Sequence, residues 1–296
     1  MIGSRSSPDA RGLRWLIAGL PIAWLGMFFL APFLLVFRTS LADPVIGQPP
    51  FTPLFDGAGA LQLTLDNYRL LLNDSLFLSS YAGSLRIAAV STLLCLLAGY
   101  PMAYAIARSP QPWRTFLLLL VILPFWSSFL LRIYAWMGLL GAHGVVNSLL
   151  LGIGLIERPL ALMYNDAAVY LGIVYTYLPF MVLPLYSVLE KHEISLREAA
   201  LDLGARPIRV FLDVTLPLSF PGIVAGCMLV FIPAVGEFVI PALLGGLDTQ
   251  MIGRALFDEF FINRDWPLAS AVATVLLLVI VVPLMVFQRG QERAHP

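Results

Sequence analysis

Six apolar runs, each long enough to cross a bilayer, constrain this 296-residue chain more than any other feature. A helix that crosses the hydrocarbon core needs about 20 mostly apolar residues. The runs cover approximately residues 15–37, 84–107, 115–140, 167–189, 215–243 and 268–287. Charged or turn-forming residues bound each run. The sequence therefore predicts an all-α integral membrane protein with a single transmembrane domain over 15–287.

Composition excludes several other classes. Hydrophobic residues make up 59% of the chain and charged residues 12%, whereas an ordinary soluble domain is about 45–50% apolar and about 25% charged. The formal net charge is +0, so there is no basic excess to bind nucleic acid. The two cysteines lie inside apolar runs, which favours small buried side chains over a disulfide or a metal site.

The distribution of basic residues predicts the orientation, because Lys and Arg accumulate on the cytoplasmic side. One side holds 11 of the 18 basic residues, from the N-terminus, two loops and the C-terminus. Both termini are therefore predicted to be cytoplasmic, as segments 1–14 and 288–296. The loop 38–80 lies outside and the loop 190–217 inside. The first run has no small-residue cleavage site after it, which indicates an uncleaved anchor.

Nucleotide-binding and hydrolytic motifs are missing from the sequence. A phosphate-binding loop ends in Gly-Lys followed by Ser or Thr, but Glu190 precedes the single lysine, Lys191. His192-Glu193 begins like a zinc-protease motif, but Leu196 stands where the second histidine is needed. We therefore predict no catalytic residue, no metal ligand and no enzymatic activity.

The loop 190–217 contains helix signals. Ser195 followed by Glu198 matches a capping box, which predicts a helix that starts at Ser195. Gly204 suits the left-handed position that ends a helix. Pro207 is favoured at a first helical position and predicts a second short helix. The loop should therefore hold a short, well-capped helix with a small Ala-Ala face, suited to close packing by another protein.

The same loop resembles the EAA loop of ABC importer permeases. That pattern is Glu-Ala-Ala, three residues, Gly, nine residues, then Ile-x-Leu-Pro, and Val214 replaces the isoleucine here. The resemblance implies that the loop docks into a cytoplasmic ATPase subunit and passes on its closure. The implied coupling residues are Glu198, Ala199, Ala200, Asp202, Gly204, Leu216 and Pro217.

Other stretches are similar to putrescine/spermidine permeases, namely 123–136, 177–186 and 236–241, and the run from 251 to 271 resembles the putrescine type. This resemblance covers most of the chain from about residue 66. It implies the type I importer permease architecture in a bacterial inner membrane, with 38–80 as a periplasmic loop. It also implies polyamine as the solute, most specifically putrescine, although the sequence does not separate putrescine from spermidine.

The resemblance further implies the partners. They are a cytoplasmic ATPase dimer that holds ATP and Mg, a second related permease, a periplasmic polyamine-binding protein and membrane lipid. No cofactor is expected in this chain.

A polyamine path needs carboxylates and aromatic faces. Glu237 is the one acidic residue deep in a predicted span, and the flanking Gly236 and Pro241 indicate a broken helix there. Glu237 either attracts amines in a cavity or pairs with Arg132, Arg86 or a partner subunit. The aromatic candidates for the path, which could equally form an interfacial belt, are Trp126, Tyr134, Trp136, Tyr175 and Tyr177.

Three acidic residues of the last outer loop are candidates for docking the binding protein, namely Asp258, Glu259 and Asp265. A group of this sign could also draw cations toward the entrance.

Two other interpretations remain open. A permease of the same class could carry an opine, sulfate or ferric iron. For an anionic solute, Arg132 would be central and Glu237 merely its partner. An ion-coupled secondary transporter would usually show internal repeats and several buried acids, and neither is evident.

Overall fold

The computed structural model describes residues 18–55 and 59–294. Within these ranges the chain is helical, apart from loops that include two isolated bridges, Pro44–Phe51 and Phe55–Leu61. The helices are α1 (Ala18–Ser40), α2 (Asp66–Asn73), α3 (Ser75–Arg108), α4 (Trp113–Ile122), α5 (Phe129–Leu140), α6 (Val145–Gly152), α7 (Asp166–Leu189), α8 (Ile194–Asp202), α9 (Pro207–Val235), α10 (Val239–Leu244), α11 (Ile252–Phe257) and α12 (Trp266–Ala294).

Six segments of the described chain are long and apolar enough to cross a membrane, which confirms the predicted number. The second begins at Ser75 instead of residue 84, so the loop after α1 is shorter than predicted. The predicted N-terminal segment 1–14 lies outside the described residues. Of the predicted tail 288–296, the last two residues also lie outside them, and the others continue α12 as far as Ala294.

The third span differs most from its prediction, which was one helix over 115–140. α4 and α5 are separate helices joined by a 3-10 turn, Leu123–Trp126. Pro124 explains the break, because proline has no N–H to donate and its ring clashes with the preceding helical turn. The Ser127 hydroxyl donates to the Pro124 carbonyl at 2.8 Å. The prediction of a continuous helix is wrong here, and the span extends beyond α5 into α6.

The fifth span begins and ends earlier than the predicted 215–243. α9 starts at Pro207, which confirms the predicted helix start. It continues into the span without interruption, so the predicted separation of this short helix from the span is wrong. Its turn Phe211–Thr215 is π-helical, and such a wider turn accommodates Pro217, which cannot complete a regular α-helical hydrogen bond. After α9 the chain breaks at Gly236 before α10 starts, which confirms the predicted broken helix.

The described chain divides into two compact units. In the first, both α1 and α2 pack against α12. The buried side chain of Asn67 on α2 donates to the carbonyls of Ser40 at 3.1 Å and Ala42 at 2.8 Å. These bonds hold α2 at the end of α1.

The second unit is built on α3, α7 and α9, which pack against one another. Glycines bring α9 close to α7. A Cβ atom at Gly222 would lie 3.1 Å from the Pro184 carbonyl oxygen, and one at Gly226 would lie 2.7 Å from the Met181 sulfur. Gly222 and Gly226, four residues apart on one face of α9, therefore allow the close packing that small residues give between spans.

Replacing Gly226 with valine should destabilise the chain, because the added side chain meets both the sulfur and the backbone carbonyl of Met181. Overpacking of this kind costs about 1–3 kcal/mol. Thermal unfolding of the purified subunit in detergent measures the effect. Gly138→Val is the matched control, since a Cβ atom there has nothing within 4 Å. Equal losses of stability in the two variants would contradict the packing argument.

Candidate functional site

α8 forms the centre of the predicted coupling loop. It carries four of the predicted coupling residues, Glu198, Ala199, Ala200 and Asp202. The helix begins at Ile194 with Glu193 at the N-cap, and no side chain caps it. Because Ser195 already lies in the first turn, its hydroxyl donates to the Glu193 carboxylate at 3.2 Å instead. The predicted capping box is therefore wrong.

The C-terminal end of α8 follows its prediction. Gly204 has a φ of +83°, the left-handed conformation that favours glycine. The Ala205 amide donates to the Ala200 carbonyl at 3.1 Å, six residues apart counting both ends, as in a Schellman cap. This cap gives the helix a defined end.

Exposed apolar side chains cover α8 and the residue after it. They are Ile194, Leu196, Leu201 and Leu203, of which Leu203 is 89% exposed. Glu198 and Ala199 are also exposed. A short helix that leaves this much apolar surface uncovered is suited to contact with another protein.

α8 is linked to α3 and α9 through Tyr104. The Arg197 guanidinium carbon of α8 lies 5.9 Å from the centre of the Tyr104 ring on α3. The Arg108 guanidinium carbon lies 5.5 Å from the centre of the same ring. Phe211 of α9 packs edge-to-face against this ring, with the ring centres 6.3 Å apart. α8 is therefore in contact with an aromatic group that two spans share.

Arg114 forms a second link at the same end of the unit. Its guanidinium pairs with Glu190, just after α7, at 2.9 Å. It also donates to the carbonyls of Ala107 and Ser109, both at 3.2 Å. One side chain thereby joins the end of α3, the start of α4 and the start of the coupling loop.

Leu216 and Pro217 complete the predicted coupling set but do not lie on α8. They follow the π-helical turn of α9. Leu216 is half-buried and Pro217 is exposed. Their position fits a role in the geometry of the helix rather than in a shared surface with Glu198.

Glu237 lies in the break between α9 and α10 and is only 8% exposed. One carboxylate oxygen accepts the Tyr177 hydroxyl at 2.6 Å. The other accepts three backbone N–H groups at the start of α10, at 3.0–3.4 Å. Glu237 therefore caps α10 and joins it to α7.

The arginines offered as partners for Glu237 lie elsewhere. Arg86 pairs with Asp166 at the start of α7, at 2.6 Å. Arg132 lies over the rings of Phe125 and Phe129. Within the part of the chain that the structure describes, no cationic side chain pairs with Glu237. The two pairings within the chain are therefore not formed.

Of the aromatic candidates, Tyr177 contacts the Glu237 carboxylate. Trp136 instead packs against Tyr175, with ring centres 5.4 Å apart. Trp126 is 81% exposed and Tyr134 54% exposed, as residues facing lipid or a partner would be.

A row of rings that sequence reasoning missed extends from Tyr177. Its ring centre lies 6.1 Å from that of Phe180, which lies 5.2 Å from that of Phe125. The spacing of Tyr177 and Phe180 on one helical face was the available signal, whereas Phe125 joins the row only because the chain breaks at Pro124.

The three outer-loop acids lie in the first unit and are half-buried. Asp265 accepts the Leu268 amide at 2.9 Å and caps α12. Glu259 accepts the Asn263 side-chain amide at 2.9 Å, and Asp258 begins a π-helical turn. These carboxylates are thus partly engaged in local structure.

A helical, multi-span chain with an exposed and well-ended loop helix has the form of a membrane subunit of a transporter. The family model for the binding-protein-dependent transport system inner membrane component matches residues 10–294. The chain belongs to this family. It is therefore an inner-membrane transport subunit of an ABC importer and not an enzyme, which excludes the secondary-transporter interpretation.

Individual relatives agree. The spermidine/putrescine transport system permease protein PotB of Escherichia coli strain K12 is 40% identical over 92% of this chain and 95% of its own. PotB of Haemophilus influenzae is 39% identical over 91% of both chains. A subunit in the crystal structure of a bacterial alginate ABC transporter superposes with a TM-score of 0.71 over 98% of both chains, at 16% identity, which supports the fold.

Glu237→Ala should destabilise the subunit much more than Glu237→Gln does. Alanine leaves three backbone N–H groups and the Tyr177 hydroxyl without their acceptor, and each buried orphan costs about 1–3 kcal/mol. Glutamine keeps an acceptor oxygen for the start of α10. Thermal unfolding of both variants in detergent checks this, and equal stabilities would contradict the capping role.

Proposed function

We propose that this chain is the permease subunit of an ATP-driven importer for polyamines. The observation that carries the proposal is the 39–40% identity, over more than nine-tenths of both chains, to permeases named for spermidine/putrescine transport. We further propose putrescine as the preferred solute, which the uptake experiment below tests directly.

The chemistry around Glu237 supports a cationic solute. Glu237 lies two residues beyond the end of the fifth span, not deep inside it as predicted, and it is nearly buried. A buried carboxylate with no cationic partner in the described residues attracts a positive charge strongly because the surroundings screen it poorly. The ring row from Tyr177 to Phe125 adds faces that attract ammonium groups. Because Glu237 is nearly covered in this conformation, an amine reaches it when α7 and α10 separate.

The surface of α8 supports coupling to a cytoplasmic ATPase dimer, whose subunits would hold ATP and Mg. Exposed apolar side chains beside Glu198 and Ala199 would fill a groove on that partner. The contact between Arg197 and Tyr104 would then carry its movement to α3 and α9. The ion pair of Arg114 with Glu190 would make the end of α3, the start of α4 and the start of the coupling loop move together.

Two further partners belong to the proposal. A periplasmic polyamine-binding protein would deliver the solute near Asp258, Glu259 and Asp265, and a second related permease would complete the path. We place the loop after α1 and the loop before α12 in the periplasm, with both termini in the cytoplasm.

Uptake of labelled putrescine and spermidine in cells that lack this chain tests the proposed solute. Deletion should abolish uptake at limiting concentration, and the wild-type chain should restore it, with putrescine competing better than spermidine. Glu237→Gln should fall well below wild type at an equal membrane level, since it keeps the cap but loses the charge.

Unchanged polyamine uptake after deletion, with no redundant system present, would contradict the polyamine assignment. Labelled sulfate is then the probe for the anionic alternative. Better competition by spermidine than by putrescine would overturn only the proposed preference.

Tyr104→Leu tests the coupling route. The purified complex should retain its ATPase subunits, but stimulation of ATP hydrolysis by the solute-loaded binding protein should fall several-fold, because α8 loses its aromatic contact. Glu198→Arg is the matched variant, which should instead weaken association of the ATPase itself. If Tyr104→Leu keeps full stimulation, the route does not pass through this ring.

A further inference from the structure

Residues 237–253 of the second unit form a hairpin-like segment, which we call the flap. It leaves the end of α9, continues through α10 and returns at the start of α11. Its two ends are in contact, because a Cβ atom at Gly253 would clash with the carbonyl oxygen of Gly236 and lie 2.6 Å from that of Glu237. The flap therefore begins and ends at the same place, the backbone beside Glu237.

The outgoing half of the flap lies along α7. At its start, the Glu237 carboxylate accepts the Tyr177 hydroxyl at 2.6 Å. Further on, a Cβ atom at Gly172 would lie 2.8 Å from side-chain atoms of both Ile240 and Leu244. Both of these side chains are fully buried. α10 thus follows α7 from Tyr177 toward the N-terminal end of α7 and covers the helix beside Glu237.

Side chains of two spans hold the tip of the flap, which lies between α10 and α11. The Thr249 hydroxyl donates to one carboxylate oxygen of Asp166, the first residue of α7, at 2.7 Å. The other oxygen of Asp166 pairs with Arg86 of α3 at 2.6 Å. The Ser79 hydroxyl of α3 donates to the side-chain oxygen of Gln250 at 2.6 Å. The tip is therefore fixed to α3 and α7 near the start of both helices.

The contact between Thr249 and Asp166 is the strongest of these. It is a charge-assisted hydrogen bond, and such bonds are roughly twice as strong as neutral ones. Thr249 is only 3% exposed. The bond between Ser79 and Gln250 joins neutral, exposed groups. The ion pair of Asp166 with Arg86 is exposed on the arginine side, so it contributes little beyond orienting the carboxylate.

Backbone groups add an anchor on either side of the tip. The Tyr164 amide donates to the Leu244 carbonyl at the end of α10, at 2.9 Å. The Ile252 amide at the start of α11 donates to the Ser84 hydroxyl at 2.8 Å. Neither bond involves the Thr249 side chain, so a substitution there removes the side-chain contact at the tip alone.

We propose that the hydrogen bond from Thr249 to Asp166 is a latch that keeps the flap closed over Glu237. When this bond breaks, α10 moves away from α7 while the flap stays attached at Gly236 and Gly253, and the Glu237 carboxylate becomes accessible. The inference rests on the proposed function for the solute that uses the opening. Thr249 and Asp166 are positioning residues, which act on the solute path through α10.

Labelling of a thiol under the flap tests the latch. Ile240→Cys places a thiol on the face of α10 that lies against α7. The reagent is the water-soluble cation methanethiosulfonate ethyltrimethylammonium, added to the full chain in membrane fragments. In this background Thr249→Val should raise the labelling rate at least about tenfold, because loss of a hydrogen bond to a charged group shifts an equilibrium by that much or more. Thr249→Ser keeps the hydroxyl and should label at the rate of its parent.

The native thiols report whether the opening is confined to the flap. Cys95 is fully buried in α3, and its labelling in Thr249→Val without Ile240→Cys should stay at the wild-type rate. A matching rise at Cys95 would mean general unfolding and would overturn the latch. So would a parental rate in Thr249→Val, or equal rates in Thr249→Val and Thr249→Ser. None of these outcomes depends on the solute, so the uptake experiment can refute the polyamine assignment while the latch stands.

Discussion

A chain that crosses lipid must satisfy its own backbone hydrogen bonds, because the surrounding hydrocarbon supplies neither donors nor acceptors. The irregular features of this structure follow from that requirement. Where Pro124 stops a helix, the Ser127 hydroxyl reaches back to a carbonyl. Where Pro217 interrupts the regular pattern, the turn before it widens. Where α9 ends, one carboxylate meets three amides of the next helix.

The carboxylate of Glu237 combines two tasks that are usually separate. As a cap it is a structural element, held at 2.6 Å by Tyr177 from another span. As a charge it has no cationic partner in the described residues, and the proposed function assigns its field to a cationic solute. Under that proposal Glu237 would link a negative charge in the solute path to the register of α7 against α10, and a neutral replacement would separate the two.

Local sequence patterns predicted those features that depend on a few neighbouring residues. The number of spans, the left-handed Gly204 and the break at Gly236 were all predicted correctly, because each follows from hydropathy or from the freedom of glycine. The capping-box prediction failed because the pattern does not fix where the helix starts. The helix begins at Ile194, one residue before Ser195. The third span failed because hydropathy does not reveal whether a proline bends a helix or ends it.

The partners of the charged residues could not be predicted from the sequence, for a different reason. Arg86 meets Asp166, 80 positions along the chain, and Glu237 meets Tyr177, 60 positions away. Such pairs depend on how α3, α7 and α9 pack, which no local pattern encodes. The row of rings through Phe180 and Phe125 has the same origin, because Phe125 contacts Phe180 of α7 only where the chain leaves α4.

The glycine contacts between α7 and α9 have a mechanical consequence. Because α9 presents bare backbone to α7 at Gly222 and Gly226, it contributes no side chains there that could rearrange as one helix slides. Sliding would force Met181 and Val188 against bare backbone, so the pair moves as one rigid block. Shape changes within this unit then fall to the joints between its helices, among them residues 123–128 and 236–238. Such joints, rather than sliding of α7 against α9, define the conformations open to the unit.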